Sequence, residues 1–177
     1  ALTLAVSLSL LFPAAPAHAG TETATWLRVN IPTEGILGYW VLADGSDIQH
    51  LTVAVDGTLY AYANPTGTTY TLFKSTDGGY SWSATGKVTG SILDIAVSPQ
   101  DARYIYYATS VAVYKSPDAG NNFAMLPASP GGAGSNNIEI TALDVAVNNQ
   151  SNHIIAVATR DTDGGQYGGV YTLDEIT

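Results

Sequence analysis

The chain has 177 residues, with 15 Asp and Glu against 6 Lys and Arg, for a formal net charge of −9 at neutral pH. That balance excludes a nucleic-acid partner and an anionic membrane surface, both of which need Lys and Arg to neutralise phosphate. Cysteine is absent, charged residues make up only 12%, and there are 18 Gly and 11 Tyr, which excludes a disulfide scaffold and suits an all-β extracellular protein rich in turns.

Residues 1–19, ALTLAVSLSLLFPAAPAHA, carry no charge and end in the A-x-A site Ala17-His18-Ala19 before Gly20. They read as the apolar and cleavage regions of a secretory signal peptide. The apolar run is too short and too interrupted by Pro13 and Pro16 for a membrane span. With no initiator Met and no basic start, the chain is expected to begin inside its gene. After residue 20 there is little helical periodicity, and short alternating runs bounded by Gly, Asn, Asp or Pro follow one another. Residues 20–47 hold one strand, TWLRVNIP. Residues 48–90 hold four, near 50–57, 58–64, 69–75 and 80–86. Residues 91–137 hold four more, near 92–99, 103–110, 111–116 and 121–127, followed by the Gly-rich loop 130–137. Residues 138–177 hold three, near 142–149, 153–160 and 168–175.

The runs overlay. Val53-Ala54-Val55 matches Ile95-Ala96-Val97 and then Val145-Ala146-Val147, and Phe73, Tyr114 and Tyr171 match in the third strands. About four strands in each unit of roughly 40–50 residues is the pattern of β-propeller blades. The predicted fold is therefore all-β and propeller-type, with about three four-stranded antiparallel blades in an incomplete ring.

Two short stretches recur in register. Ser75-x-Asp77-x-Gly79-x-Ser81-Trp82 lies 41 residues before Ser116-x-Asp118-x-Gly120-x-Asn122-Phe123. Both resemble the Asp-box, or BNR repeat, the second copy having Asn and Phe where the pattern has Ser/Thr and Trp. The resemblance covers residues 48–127 well and 142–177 weakly, because TLDEIT stands where a third box belongs. It implies part of an Asp-box propeller, a family that includes sialidases, xyloglucan-active glycosidases, sortilin-type receptors and a photosystem assembly factor. Physical chemistry assigns the motif to a hairpin turn. The Asp accepts backbone N–H groups, the Gly accepts positive φ, and the aromatic folds over the hairpin. In the family such boxes lie away from the catalytic face. Trp26 stands where Trp82 and Phe123 stand, so its segment reads as the outermost strand of a neighbouring blade.

Catalytic candidates are few. Asp94 in LDIAV and Asp144 in LDVAV occupy the same place in adjacent units and are the best pair for an inverting glycosidase, which needs two carboxylates about 6.5–9.5 Å apart. The competing reading, favoured here, is that each binds local backbone. Asp161 and Asp163 in RDTDGG resemble the start of a calcium loop but lack its later ligands, and are expected to be turn formers. Arg28, Arg103 and Arg160 do not form the arginine pattern that a sialidase resemblance requires. His50 and His153 stand isolated at strand starts, so no zinc site or nucleophilic triad is expected. Tyr60, Tyr62, Tyr104, Tyr106 and Tyr107 could stack on sugar rings but fit blade packing better. No cofactor is called for. The expected function is a secreted or cell-surface binding or structural module, with a fragment of a secreted glycoside hydrolase as the alternative. Expected partners are a second copy, paired through the open edges of TWLRVNI and GVYTLDE, or another extracellular protein or glycan. No membrane insertion is expected after signal cleavage.

Overall fold

The computed structural model describes residues 47–64, 70–127, 130–135, 137–165 and 167–175. The leader-like segment and the Trp26 segment lie outside these residues. The described residues form three antiparallel sheets and no α-helix, with one 3-10 turn at Pro130–Gly132. The first sheet runs β1 (Asp47–Val53), β2 (Leu59–Asn64), β3 (Thr71–Ser75) and β4 (Ser83–Ala84) in spatial order. The second repeats it with β5 (Asp94–Val97), β6 (Ile105–Ala108), β7 (Val113–Ser116) and β8 (Ala124–Met125). The third contains β9 (Ile138–Val147), β10 (His153–Asp161) and β11 (Val170–Glu175). First strands touch first strands, β1 against β5 and β5 against β9. The sheets therefore fan out from a shared inner line, as propeller blades do. The fold is all-β and propeller-type, with an open ring among the described residues.

Two different cores hold the fan together. Between the first two blades, Tyr60, Tyr62 and Leu72 meet Ile95, Ile105 and Tyr107. Between the second and third, Tyr106, Ala108 and Val113 meet Ile140, Val145, Ile155 and Val157. Each fully buried aliphatic or aromatic side chain contributes about 1.5–3 kcal/mol by leaving water. Backbone bonds add stitches between blades: Gly86 N–H donates to Gly120 O at 2.6 Å, and Ile140 N–H donates to Ser110 O at 2.9 Å. A Cβ on Gly86 would sit 2.1 Å from the Asn121 carbonyl oxygen, so only glycine allows the first stitch.

The registers differ from the sequence overlay in two places. The last ladder pairs before the first hairpin of each blade are Val53–Leu59, Val97–Ile105 and Val147–His153. Val53 therefore corresponds to Val97 and Val147, and Val55 does not. The reason is a tight turn. Gly57 N–H donates to Ala54 O at 2.9 Å and Thr58 N–H donates to Asp56 Oδ1 at 2.9 Å, which takes Val55 out of the strand. A slip of two residues keeps every side chain on its own face, so alternation alone does not reveal it. In the third strands the equivalent cross-strand pairs are Ala61–Phe73, Tyr107–Tyr114 and Ile155–Leu173. Leu173, rather than Tyr171, matches Phe73 and Tyr114.

Candidate functional site

Both box turns are closed on themselves. Ser75 Oγ donates to Asp77 Oδ1 at 2.8 Å and accepts Gly79 N–H at 2.8 Å. Asp77 Oδ1 accepts Ser81 N–H at 2.9 Å, and its second oxygen accepts the Ser81 hydroxyl. The second turn repeats these contacts. Ser116 Oγ donates to Asp118 Oδ1 at 2.8 Å and accepts Gly120 N–H at 2.9 Å. Asn122 supplies its N–H at 2.9 Å and its side-chain amide at 2.7 Å to the two Asp118 oxygens. The Ser81 and Asn122 bonds foremost hold both aspartate pKa values down to about 2. Gly79 and Gly120 have φ of 92° and 80°, a region where a Cβ would be strained. Trp82 is buried on Ala61, Ala63 and Phe73 and donates its indole N–H to Gly79 O at 3.2 Å. Phe123 packs edge-on against Tyr107, their ring centroids 5.0 Å apart.

The other carboxylates also face backbone. Asp94 accepts Ile95 N–H through Oδ1 and, across the blade boundary, Leu143 N–H through Oδ2, both at 2.9 Å. Asp144 accepts Val145 N–H at 2.8 Å. Asp161 Oδ1 accepts Asp163 N–H and Asp163 Oδ1 accepts Gly165 N–H, both at 3.0 Å, while Asn137 donates to Asp163 Oδ2. Arg103 is paired with Asp101 at 2.7 Å and Arg160 with Glu139 at 3.2 Å, at separate surface positions. Tyr60, Tyr62, Tyr106 and Tyr107 are buried, and Tyr104 is half-buried. Among the described residues no group of three His, Asp or Glu is placed to hold a metal ion.

His153 is not isolated, in contrast to the sequence expectation. It lies 4% exposed between the second and third blades. Its Nε2 is 3.0 Å from Ser98 Oγ, and its Nδ1, buried without a hydrogen-bond partner, is 3.9 Å from Glu175 Oε2. Glu175 holds Lys115 Nζ at 2.6 Å and accepts the Tyr106 hydroxyl at 3.0 Å. The Tyr104 ring lies against His153 at 4.6 Å and beneath Lys115 Nζ at 4.8 Å. Burial foremost, and Lys115 next, lower the His153 pKa, so the imidazole is neutral near neutral pH. Burial, then the Glu175 charge, raises the Tyr106 pKa and keeps the phenol protonated. His50, by contrast, stacks on Tyr62 at 6.3 Å.

Register explains why sequence reasoning missed this cluster. Glu175 pairs with His153 as Ser75 pairs with Leu59 and Ser116 with Ile105. It therefore stands where the other two blades carry their box serine. The ion pair across the blade boundary occupies the place of a serine-centred turn. A Glu at the box-serine position, facing a Lys one residue before the box serine of the neighbouring unit, was the available signal.

An apolar cavity of about 200 Å³ opens between the same two blades, with Val113, Leu126 and Pro130 on one wall and Ile155, Val157 and Leu173 on the other.

No protein-family model matches the chain, and no curated protein matches it. Solved structures do. One is an ancestral GH74 enzyme, 19% identical, with a TM-score of 0.48, over 85% of this chain and 20% of that one. Another is YCF48 bound to a D1 peptide, 18% identical, with a TM-score of 0.36, over 73% of this chain and 53% of that one. The chain thus spans a fifth of the first protein and about half of the second.

Proposed function

We propose that the chain is part of an Asp-box propeller serving as a secreted or cell-surface binding or structural module, without catalytic activity of its own. One observation supports this most: Asp94 and Asp144, the carboxylates suggested for chemistry, accept hydrogen bonds from their own strands and, for Asp94, from the adjoining blade. A general acid or base needs a free face toward substrate, and these backbone bonds occupy both Asp94 oxygens and one Asp144 oxygen. The serine-, aspartate- and glycine-based turns support the Asp-box reading through their bonding pattern.

The test is incubation of the full chain with xyloglucan oligosaccharides and with a sialylated glycoprotein, followed by assay for released sugar. No release above buffer is expected. Release that disappears in Asp94→Asn or Asp144→Asn would overturn the reading in favour of a glycoside hydrolase.

A further inference from the structure

The hairpin between β9 and β10 carries a pattern that the rest of the chain does not repeat. Asn149-Gln150-Ser151 is an Asn-x-Ser sequence with a residue other than proline in the middle. That is the acceptor pattern for N-linked glycosylation. Asn64-Pro65-Thr66 has the outer residues but holds proline in the middle, which rules it out.

The structure shows that Asn149 is free to react. The ladder ends at the pair Val147–His153, and Asn148 closes the turn beyond it. The Asn148 side-chain oxygen accepts Gln150 N–H at 2.8 Å and Asn152 N–H at 3.0 Å. Its carbonyl oxygen accepts Ser151 N–H at 3.0 Å. Asn149 and Gln150 are thereby the two central residues of a β-turn. Asn149, Gln150 and Ser151 are all exposed. The Asn149 amide has no hydrogen-bond partner among the described residues. Asn64, Asn121, Asn122, Asn137 and Asn148 differ, since each engages its side-chain amide in a hydrogen bond. A substituent on any of those amides crowds an existing bond, whereas one on Asn149 displaces only water.

We propose that Asn149 is an N-glycosylation acceptor, taking an oligosaccharide from a lipid-diphosphate donor as the chain enters the secretory route. This inference rests on the secreted reading proposed above. In the transfer the Asn149 side-chain nitrogen attacks the anomeric carbon of the donor sugar. A carbon–nitrogen bond forms, the bond from that carbon to the diphosphate oxygen breaks, and the oxygen keeps the electron pair. The amide gives up one proton, and nothing is oxidised or reduced. The turn lies at the same end of the fan as both boxes, because His153 pairs with Glu175 as Ile105 pairs with Ser116. The glycan projects into water from that end. It leaves the opposite end clear, where Thr89, Ser91, Thr109 and Ser110 line a pocket of about 260 Å³.

The test is production of the full chain in a eukaryotic secretory cell, behind an independent cleavable leader. A single glycan is expected, removed by a peptide N-glycosidase that leaves Asp in place of Asn149, which peptide mass spectrometry reads. Asn149→Gln and Ser151→Ala should each lose the glycan entirely, and Ser151→Thr should keep it. Far-UV circular dichroism of the secreted variants identifies any that fail to fold. A parallel chain led by residues 1–19 alone, with an initiator Met added, separates the two readings. Its retention in the cytosol, beside a glycan on the chain with the independent leader, counts against the secreted reading and for the acceptor. Secreted, folded protein with an unmodified Asn149 would overturn the proposal, as would a glycan that persists in Asn149→Gln.

Discussion

Ser75 is buried and accepts the Gly79 N–H while donating to Asp77. Removing its hydroxyl strands a buried backbone donor, which costs about 1–3 kcal/mol. Ser75→Ala and Ser116→Ala should each lower stability by that amount in denaturant titrations. Values near zero would mean that water satisfies the turn. Trp82 sits above the same turn and is 2% exposed. Trp82→Ala should cost about 3–5 kcal/mol, the range for truncating a buried large aromatic, and an unchanged unfolding midpoint would remove its role as a lid. The aspartates act through charge. Folding lowers their pKa from 3.8 to about 2. They therefore stabilise the fold above the unfolded value, and that contribution is lost as pH falls toward 2. The double variant Asp77→Asn, Asp118→Asn should lose less thermal stability between about pH 4 and pH 2 than the parent; parallel curves would contradict the assignment. These turns were legible in the sequence because a short polar motif recurs in register and each of its residues has a local partner.

At the scale of strands and sheets, much less was legible. Alternation located every described strand, but it left β1 and β11 two residues out of register, because a slip of two preserves the face of each side chain. The His153–Glu175–Lys115 cluster joins positions that are distant in the chain and meet only when two blades stack. Glu175→Ala should cost about 1–3 kcal/mol, the range for leaving a buried polar group unsatisfied, since it leaves the half-buried Lys115 and the buried Tyr106 hydroxyl without their shared acceptor. Replacing both charges, Lys115→Met with Glu175→Leu, should recover only the part of that loss due to the unpaired Lys115, since the Tyr106 hydroxyl still lacks an acceptor, and a double variant as unstable as the single one would refute the account of the ion pair. Gly86→Ala places a Cβ against the Asn121 carbonyl and should destabilise well beyond the roughly 1 kcal/mol of an average substitution.

Over the whole molecule, the fan of blades was visible in the repeat of about four strands, whereas the unlike character of its two boundaries was not. The first boundary is sealed by Tyr60, Tyr62, Leu72, Ile95 and Ile105. The second combines an aliphatic core with a neutral buried imidazole beside an ion pair. A histidine whose pKa is lowered by folding binds its proton more readily in the unfolded chain. Its boundary therefore weakens as pH drops below about 6.5 and reaches a floor beneath the folded value. Acid should thus dismantle the array from one side, with β9–β11 loosening while β1–β8 remain paired. Amide hydrogen exchange at pH 7 and pH 5, corrected for intrinsic rates, would show the order. Protection should fall first along Ile154–Ala158 and be retained along Tyr60–Ala63, and His153→Gln should abolish the difference. Equal loss in all three sheets would mean that they melt as one unit. The two boundaries would then make the array polar in its acid response, with a side that yields and a side that holds.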